Sequence, residues 1–274
     1  MGAAYDDDVN FNAGAAYVIF LETNADVKNV QKLSMSYGGF GAFYYLDASD
    51  EFGYDVTALG DLDGDGVDVF AVGAFSDDDS GSHTGAVYVI FLKTDGAAQN
   101  VQKISKLHGN FYSFYTLDDN YLLGVAVEGL GDIDGDGVRD LAASATDDDD
   151  GGTNAGAVYI LFLETTGTVK NAQKISFSYG NVSAFYTLEA YDIFGHSIAY
   201  LGDIDGDGVV DIAVGVPGDD DGGGSAGALY MINLQETYCA TPSPTVSPMS
   251  GYATTTPPRL RASQRMALTP RKCS

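Results

Sequence analysis

The stretch Asp132-Ile-Asp-Gly-Asp-Gly-Val-Arg-Asp140 decides how the rest of the sequence is interpreted. Its aspartates fall at alternate positions, and its two glycines allow the backbone to turn tightly. The same Asp-(Leu/Ile)-Asp-Gly-Asp-Gly-Val string begins at Asp61 and at Asp203, so the three copies are spaced by 71 residues. A fixed period in the sequence indicates a protein built from stacked repeats.

Three further motifs recur in the same phase as the aspartate loop. A Gly-Ala-x-Tyr motif begins at Gly14, Gly85, Gly156 and Gly227. Acidic runs stand at 6–8, 77–79, 147–150 and 219–221. The piece Val-Gln-Lys-Ile-Ser at 101–105 is matched at 30–34 and at 172–176. Four motifs in one register establish the repeat.

Each repeat unit has the apolar pattern of short strands. Its apolar segments are four to eight residues long, rich in Val, Ile, Tyr and Phe, and separated by Gly and Asp clusters. Four such segments per unit predict one four-stranded antiparallel sheet, which must stack on its neighbours to bury both faces. The predicted fold is therefore an all-β protein, a β-propeller of four-stranded antiparallel blades. A β-solenoid is the alternative architecture, although its repeats are usually much shorter.

The sequence resembles the FG-GAP family, whose blades form the head of integrin α subunits. The residues that carry the resemblance are Phe52-Gly53 and Phe194-Gly195 before the inner strand, and Gly73-Ala74-Phe75 and Gly215-Val216-Pro217 at the end of the second strand. The middle copy departs from the motif, with Leu123-Gly124 and Ala143-Ser144-Ala145, so we interpret it as a degenerate blade.

The strand pattern divides the chain into about three and a half blades, a partial propeller. A longer parent protein is the preferred explanation of the incomplete set, and a small self-contained ring is the alternative. The predicted units are a partial blade with third and fourth strands, two FG-GAP blades, a blade lacking its last strand, and a disordered Ser/Thr/Pro-rich then basic tail: 1–36, 37–106, 107–176, 177–237 and 238–274.

The aspartate loops have the composition of calcium sites. Calcium takes six to eight oxygen ligands in a flexible geometry, whereas magnesium demands a stricter octahedron. In the second copy, loop positions 1, 3, 5 and 9 carry carboxylates and position 7 offers a backbone carbonyl. The predicted ligands there are Asp132, Asp134, Asp136, Val138 and Asp140. Position 12 holds no Glu, which excludes an EF-hand.

The resemblance to the integrin α blades extends the ligand set to the other two loops. In the third copy it implies Asp203, Asp205, Asp207, Val209 and Asp211. In the first copy it implies Asp61, Asp63, Asp65, Val67 and Asp68. Position 9 of the first copy is Val69, with the acid one place early, so we expect about three calcium sites of which the first is the weakest. Metal-free Asp/Gly turns are the alternative reading of all three loops.

A second candidate surface lies on the face opposite the calcium loops. It combines the acidic runs with the aromatic connections between blades, and the residues assigned to it are Asp77, Asp148, Asp219, Tyr44, Tyr115 and Tyr186. Exposed aromatic rings beside carboxylates would suit a protein or carbohydrate ligand. The alternatives are a solvated acidic loop and aromatic packing between neighbouring blades.

Charge excludes several classes of partner. The net charge is −26 overall, and it is −31 over residues 1–237 against +5 over residues 238–274. A strongly negative field argues against nucleic acid as a partner. No apolar stretch approaches the roughly 18 residues that a membrane-spanning helix needs. The start of the chain lacks the pattern of a signal peptide. An extracellular or cell-surface location is implied by the family resemblance alone.

The function predicted from these observations is a non-enzymatic, calcium-binding module for extracellular adhesion or ligand recognition. A structural spacer in a larger cell-surface protein is the alternative, and part of a secreted enzyme is a remote third, because no nucleophile or general-base constellation is visible. Asn181-Val-Ser183 is an N-glycosylation sequon, which has meaning only in a secreted chain.

Overall fold

The computed structural model describes residues 1–224, 226–235 and 264–267. Strands dominate this part of the chain, and its only helical elements are three short 3-10 turns, at Phe40–Ala42, Phe111–Ser113 and Val182–Ala184. Each turn lies in the connection that enters a new sheet. The prediction of an all-β fold is confirmed.

Two complete blades occupy the middle of the chain. In each blade the four antiparallel strands follow one another in space in the order of the sequence. The strands of one are β4 (Val56–Gly60), β5 (Val69–Ala74), β6 (Ala86–Leu92) and β7 (Ala98–Ser105). Those of the other are β8 (Leu123–Gly131), β9 (Asp140–Ala145), β10 (Ala157–Leu163) and β11 (Val169–Ile175).

The first sheet has three strands: β1 (Gly2–Ala3), β2 (Ala15–Leu21) and β3 (Val27–Leu33). Only the second and third of these were predicted. The short strand β1 pairs with β2 through Gly2 opposite Ala16 and Ala3 opposite Ala15. Gly2-Ala3 precedes Gly73-Ala74 by the repeat length of 71, so β1 is the end of a second strand. The 71-residue spacing was sufficient to locate β1, but the sequence prediction missed this strand.

The last sheet contains β12 (Ser197–Gly202), β13 (Asp211–Val216), β14 (Ala228–Gln235) and β15 (Gln264–Ala267). Strand β15 pairs in parallel with the end of β14, from Ile232 opposite Gln264 to Gln235 opposite Ala267. Residues 264–267 form this strand within the segment that was predicted to be disordered. Residues 236–263 and 268–274 lie outside the described residues, and the disorder predicted for 238–263 and 268–274 stays a prediction.

Apolar residues on both sides of each sheet form the cores between blades. On β6 the side chains alternate, because successive residues of a strand point to opposite faces. Tyr88 and Ile90 pack toward the first sheet, whereas Val87 and Val89 pack toward the sheet of β8–β11. The whole of β6 is buried in consequence. Successive sheets thus stack face to face, which confirms the predicted partial β-propeller.

A backbone joint connects each blade to the one before it. The backbone N–H groups of Phe52, Leu123 and Phe194 donate to carbonyls of the preceding blade at 3.1, 3.0 and 2.9 Å. A Cβ atom added to Gly85 would lie 2.2 Å from the carbonyl oxygen of Leu123, and one added to Gly156 would lie 2.3 Å from that of Phe194. Glycine is required at the joint because only its absent side chain permits this approach.

The two outer faces of the stack carry exposed apolar side chains. On the first sheet Leu21 and Val30 are 58% and 47% exposed, and on the last sheet Leu229 is 66% exposed. The equivalent positions in the middle blades are covered by a neighbouring sheet.

Candidate calcium loops and the opposite face

The three aspartate loops form the hairpin turns between the first and second strands of their blades, and their conformation is the same. The first aspartate accepts hydrogen bonds from the backbone N–H groups of the two loop glycines. In the second loop Gly135 and Gly137 donate to Asp132 at 2.8 Å each. Both glycines have positive φ, 76° and 91°, a conformation that a side chain would oppose.

Each loop gathers three carboxylates. One oxygen from each lies within 4.8 Å of the other two, and the groups are Asp61, Asp63 and Asp65, then Asp132, Asp134 and Asp136, then Asp203, Asp205 and Asp211. Asp207 belongs to the third loop as predicted, and its carboxylate accepts the Val209 N–H at 2.9 Å. Three negative groups this close repel one another unless a cation lies between them.

The ninth loop position begins the second strand and is buried. In the second loop Asp140 accepts the backbone N–H groups of Ile133 and Leu163, both at 3.0 Å. Burial nevertheless raises the pKa of Asp140 to about 7. In the third loop Asp211 accepts the Ile204 N–H at 2.8 Å through Oδ2, while its Oδ1 atom is buried without a hydrogen-bond partner. Burial also raises the pKa of Asp211.

The first loop lacks this buried carboxylate. Val69 stands at the ninth position and is 1% exposed. Asp68, the predicted substitute, is exposed and is not among the carboxylates that converge in its loop. Val67 and Val138 donate their N–H groups to Asp65 and Asp136 at 2.8 Å. The predicted role of Val67, Val138 and Val209 as carbonyl ligands stays a prediction.

A different side chain reaches each loop from a neighbouring strand, and the sequence reasoning missed all three. Gln99 donates to Asp65 at 3.4 Å in the first loop. Lys170 pairs with Asp134 at 2.9 Å and with Asp136 in the second. Asn233 donates to Asp205 at 3.1 Å in the third, and its Oδ1 atom is buried without a partner. Asn233 occupies the repeat position that holds Phe91 and Phe162 in the other blades. This change from Phe to Asn is a sequence signal that could have identified it.

One aspartate of each acidic run in the last three sheets is built into the core, at the end opposite the loops. Asp77, Asp148 and Asp219 are at most 6% exposed. Each accepts a hydrogen bond from the tyrosine of its Gly-Ala-x-Tyr strand, with distances of 2.6 Å for Tyr88, 2.9 Å for Tyr159 and 2.6 Å for Tyr230. Burial and the adjacent carboxylate hold the pKa of Tyr88 and that of Tyr159 well above their ordinary value.

A lysine of the fourth strand neutralises this aspartate in both complete blades. Lys103 Nζ lies 2.7 Å from Asp77 and also pairs with Asp79, and its side chain is fully buried. Lys174 Nζ lies 2.8 Å from Asp148. Burial opposes the charge of Lys103, but its aspartates outweigh that effect and raise its pKa. The last blade has its aspartate, Asp219, but residues 177–235 contain no lysine.

The predicted aromatic members of the ligand face join the same network. Tyr44 Oη accepts the backbone N–H of Lys103 at 3.3 Å, and Tyr115 Oη accepts the backbone N–H of Lys174 at 3.1 Å. Tyr186 stacks on Tyr230, with their ring centroids 4.3 Å apart.

The six residues assigned to an exposed ligand face are therefore packed between and within blades. For Tyr44, Tyr115 and Tyr186, the structure agrees with the alternative interpretation, in which the aromatic rings pack between blades. The same connections leave other aromatic rings in solvent, with Tyr45 56%, Tyr112 58% and Tyr191 62% exposed. The structural role of the lysine could have been inferred, because the Gln-Lys motif and the acidic run share one phase.

A stack of antiparallel sheets, three of which carry an acidic loop between their first two strands, defines a class of propeller-like repeat proteins. Within it, the FG-GAP repeat matches this chain at residues 125–161 and 194–231. The chain thus contains FG-GAP repeats and resembles integrin α chains over most of its length, which confirms the family predicted from the motifs.

Two relatives illustrate the similarity. Integrin alpha-6 of Homo sapiens is 30% identical over 200 residues, which cover 71% of this chain and 15% of the relative. Integrin alpha-6 of Gallus gallus is 31% identical over 221 residues, which cover 78% of this chain and 18% of the relative. The chain therefore spans less than a fifth of the length of these curated relatives. In the described residues no helix has the length and apolar character needed to cross a membrane.

Proposed function

We propose that the three aspartate loops bind calcium and that the chain is a calcium-stabilised module for adhesion or ligand recognition outside the cell. The observation that carries the metal proposal is in the third loop. Asp211 Oδ1 is buried and unpartnered, and a carboxylate oxygen of Asp211 lies within 4.8 Å of those of Asp203 and Asp205. Burying such an oxygen without a partner is costly, and a bound cation would remove that cost.

The donor set fits calcium in particular. All the converging side-chain donors are carboxylate oxygens, the ligands that a hard cation prefers. In the second loop the ammonium of Lys170 already lies against Asp134 and Asp136, so the loop accommodates positive charge. The residues that would hold the ions are those predicted from the sequence, except Asp68. Asp140 and Asp207 also lie outside the clustered carboxylates. They are kept because they occupy the ninth and fifth loop positions, whereas Asp68 occupies the eighth.

Calcium would act on the fold. Each loop connects the first two strands of a blade, so a bound ion would restrain both strands together. Binding to the folded chain alone stabilises it by about 2.7 kcal/mol per site when the free ion is at about 100 times Kd. The first loop lacks a carboxylate at loop position 9, so most of this stabilisation would come from the second and third loops.

The adhesion proposal is supported by similarity to integrin α chains and by surface features. Tyr45, Tyr112 and Tyr191 are exposed in the connections between blades, where an aromatic ring can contact a protein or a sugar. Asn181 of the sequon is also exposed, which suits a glycosylated extracellular protein.

The metal proposal is tested by calcium titration calorimetry on the full chain, with thermal melts in calcium and in EDTA. Binding heat and a calcium-dependent rise in Tm are expected. The variant Asp203→Asn should lose one binding event and part of the rise in Tm. The matched control is Asp78→Asn, which removes the same charge from an exposed residue outside the loops. Equal behaviour of the two variants, or no heat at all, would reject the proposal.

A structural spacer is the second candidate function. It is favoured because four of the six predicted ligand-face residues are buried and the other two, Tyr44 and Tyr115, are partly buried. The two functions are separated by an adhesion assay with the calcium-loaded chain coated on a surface. Adhesion of cells that is lost in a Tyr45→Ala/Tyr112→Ala variant of unchanged Tm supports recognition. Absence of adhesion above that of an albumin-coated surface supports the spacer.

A further inference from the structure

The second calcium loop differs from the other two in containing a positive charge of its own. Lys170 Nζ lies 2.9 Å from Asp134 Oδ2 and 3.1 Å from Asp134 Oδ1, and it also contacts Asp136. Its side chain is only 17% exposed, so the ammonium group lies among the loop carboxylates and has little contact with water. Lys170 is on strand β11, the fourth strand of the same blade, and reaches the loop across the sheet.

The repeat provides internal comparisons for this residue. Gln99 stands 71 positions earlier and extends its neutral amide to Asp65 of the first loop, at 3.4 Å. In the third loop the side chain near Asp205 is Asn233, also neutral. Among the described residues, the second loop alone has a lysine paired with its carboxylates.

We propose that Lys170 is a tethered competitor for the cation of the second loop, so that this loop binds calcium more weakly than the third although its ligand set is complete. This inference rests on the proposed calcium function. A divalent ion entering the loop must displace the ammonium from Asp134 and Asp136 or bind beside it. Both routes oppose binding, because like charges repel and because the ion pairs with Lys170 must be broken.

The inference distinguishes two loops that ligand counting treats as equal. By carboxylates alone the second and third loops are equal, with four acidic positions each. The tethered ammonium separates them. Even at the dielectric constant of water, the repulsion between a unit charge and a divalent ion about 4 Å away lowers affinity by at least about tenfold. The third loop should therefore fill first on titration, and the second should fill at roughly tenfold higher calcium.

The test uses the full chain with the first and third loops disabled by Asp61→Asn and Asp203→Asn, so that calorimetry reports the second loop alone. In this background Lys170→Gln, which copies the natural residue of the first blade, should lower Kd about tenfold. Lys106→Gln is the matched control. It removes one positive charge from a lysine that pairs with Asp119 instead, and should leave Kd unchanged.

A competitor role and a purely structural role give different results. If Lys170 only supports the loop, Lys170→Gln will weaken calcium binding or leave it unchanged, and the inference is overturned. If the disabled background does not fold, the same comparison is made with Lys170→Gln in the otherwise unchanged chain. There the binding event of the second loop, identified as the one that Asp132→Asn abolishes, should move to lower calcium, toward that of the third loop.

Failure of the calcium proposal is recognised separately. In Asp132→Asn, which disables the second loop, the third loop should still bind calcium. If the third loop binds calcium but Lys170→Gln leaves the Kd of the second loop unchanged, only the competitor role of Lys170 is rejected. If no loop binds calcium in any variant, both proposals fall.

Discussion

Lys103→Met is the most informative single change, because it removes the positive member of a buried ionic network. The side chain of Lys103 is fully buried and that of Asp77 is 1% exposed. Methionine retains most of the volume but leaves the Asp77 carboxylate without its counter-charge. Breaking a buried pair by removing one partner costs roughly 3–5 kcal/mol of unfolding free energy.

The first sheet provides a matched comparison for this variant. Lys32 occupies the same repeat position and pairs with Asp6 at 2.8 Å, but side-chain exposures there are 18% for the lysine and 19% for Asp6. This pair is partly accessible to water, so Lys32→Met should cost less than Lys103→Met, about 1–2 kcal/mol. The structure therefore predicts a clear difference between two chemically identical substitutions.

The measurement is urea unfolding in saturating calcium, followed by circular dichroism and by tyrosine fluorescence. Coincident transitions justify the comparison of free energies. The double variant Asp77→Asn/Lys103→Met removes both charges, and Asn can still accept the hydrogen bond of Tyr88, so it should be more stable than Lys103→Met alone. The reasoning is refuted if Lys103→Met is as mild as Lys32→Met, or if the double variant recovers nothing.

Three further predictions concern other parts of the fold. Burial, and then the charge of Asp77, raises the pKa of Asp50 to about 8, so the folded chain retains a proton there that the unfolded chain has released. Through this group stability should fall by up to about 1.4 kcal/mol per pH unit as pH rises from about 4 to 8, and pH-dependent melts of Asp50→Asn should lack that slope. Gly85→Ala should lower the unfolding free energy, measured in urea, by about 3 kcal/mol or more because the new Cβ meets a neighbouring backbone carbonyl. Gly64→Ala is the control: its Cβ meets nothing within 4 Å, so only the positive φ should cost stability, about 1–2 kcal/mol. Val69→Asp should tighten calcium binding to the first loop in calorimetry and lower Tm in EDTA, while Asp68→Asn should change neither by a measurable amount.

The sequence predicted the fold well because the repeat gives the strands up to β14 a known phase. The same phase could have located β1, since two residues of a motif suffice when the period is known. Strand β15 could not be predicted, because Gln264–Ala267 follows no repeat motif and pairs in parallel with β14. Such a contact depends on an available sheet edge and not on a local pattern.

The loops and the opposite face were predictable to different degrees. Local chemistry fixes the loop aspartates, because adjacent glycines turn the chain around them. The partners that reach the loops from other strands, among them Lys170 and Asn233, depend on cross-strand geometry that spacing alone does not provide. The buried state of Asp77 was missed for the same reason: an acidic run is usually solvated, and only the distant Lys103 makes its burial tolerable.

The backbone joint between blades has a consequence for the history of such a chain. The joint consists of a glycine, a carbonyl oxygen and an N–H group, so it makes little demand on the identity of the neighbouring side chain. Leu123 occupies the place of Phe52 and Phe194 without any loss of the connection. A duplicated unit can therefore be joined at once and can then diverge in its surface residues. The molecule can grow or shorten by whole units, and each unit is free to vary its hairpin loop.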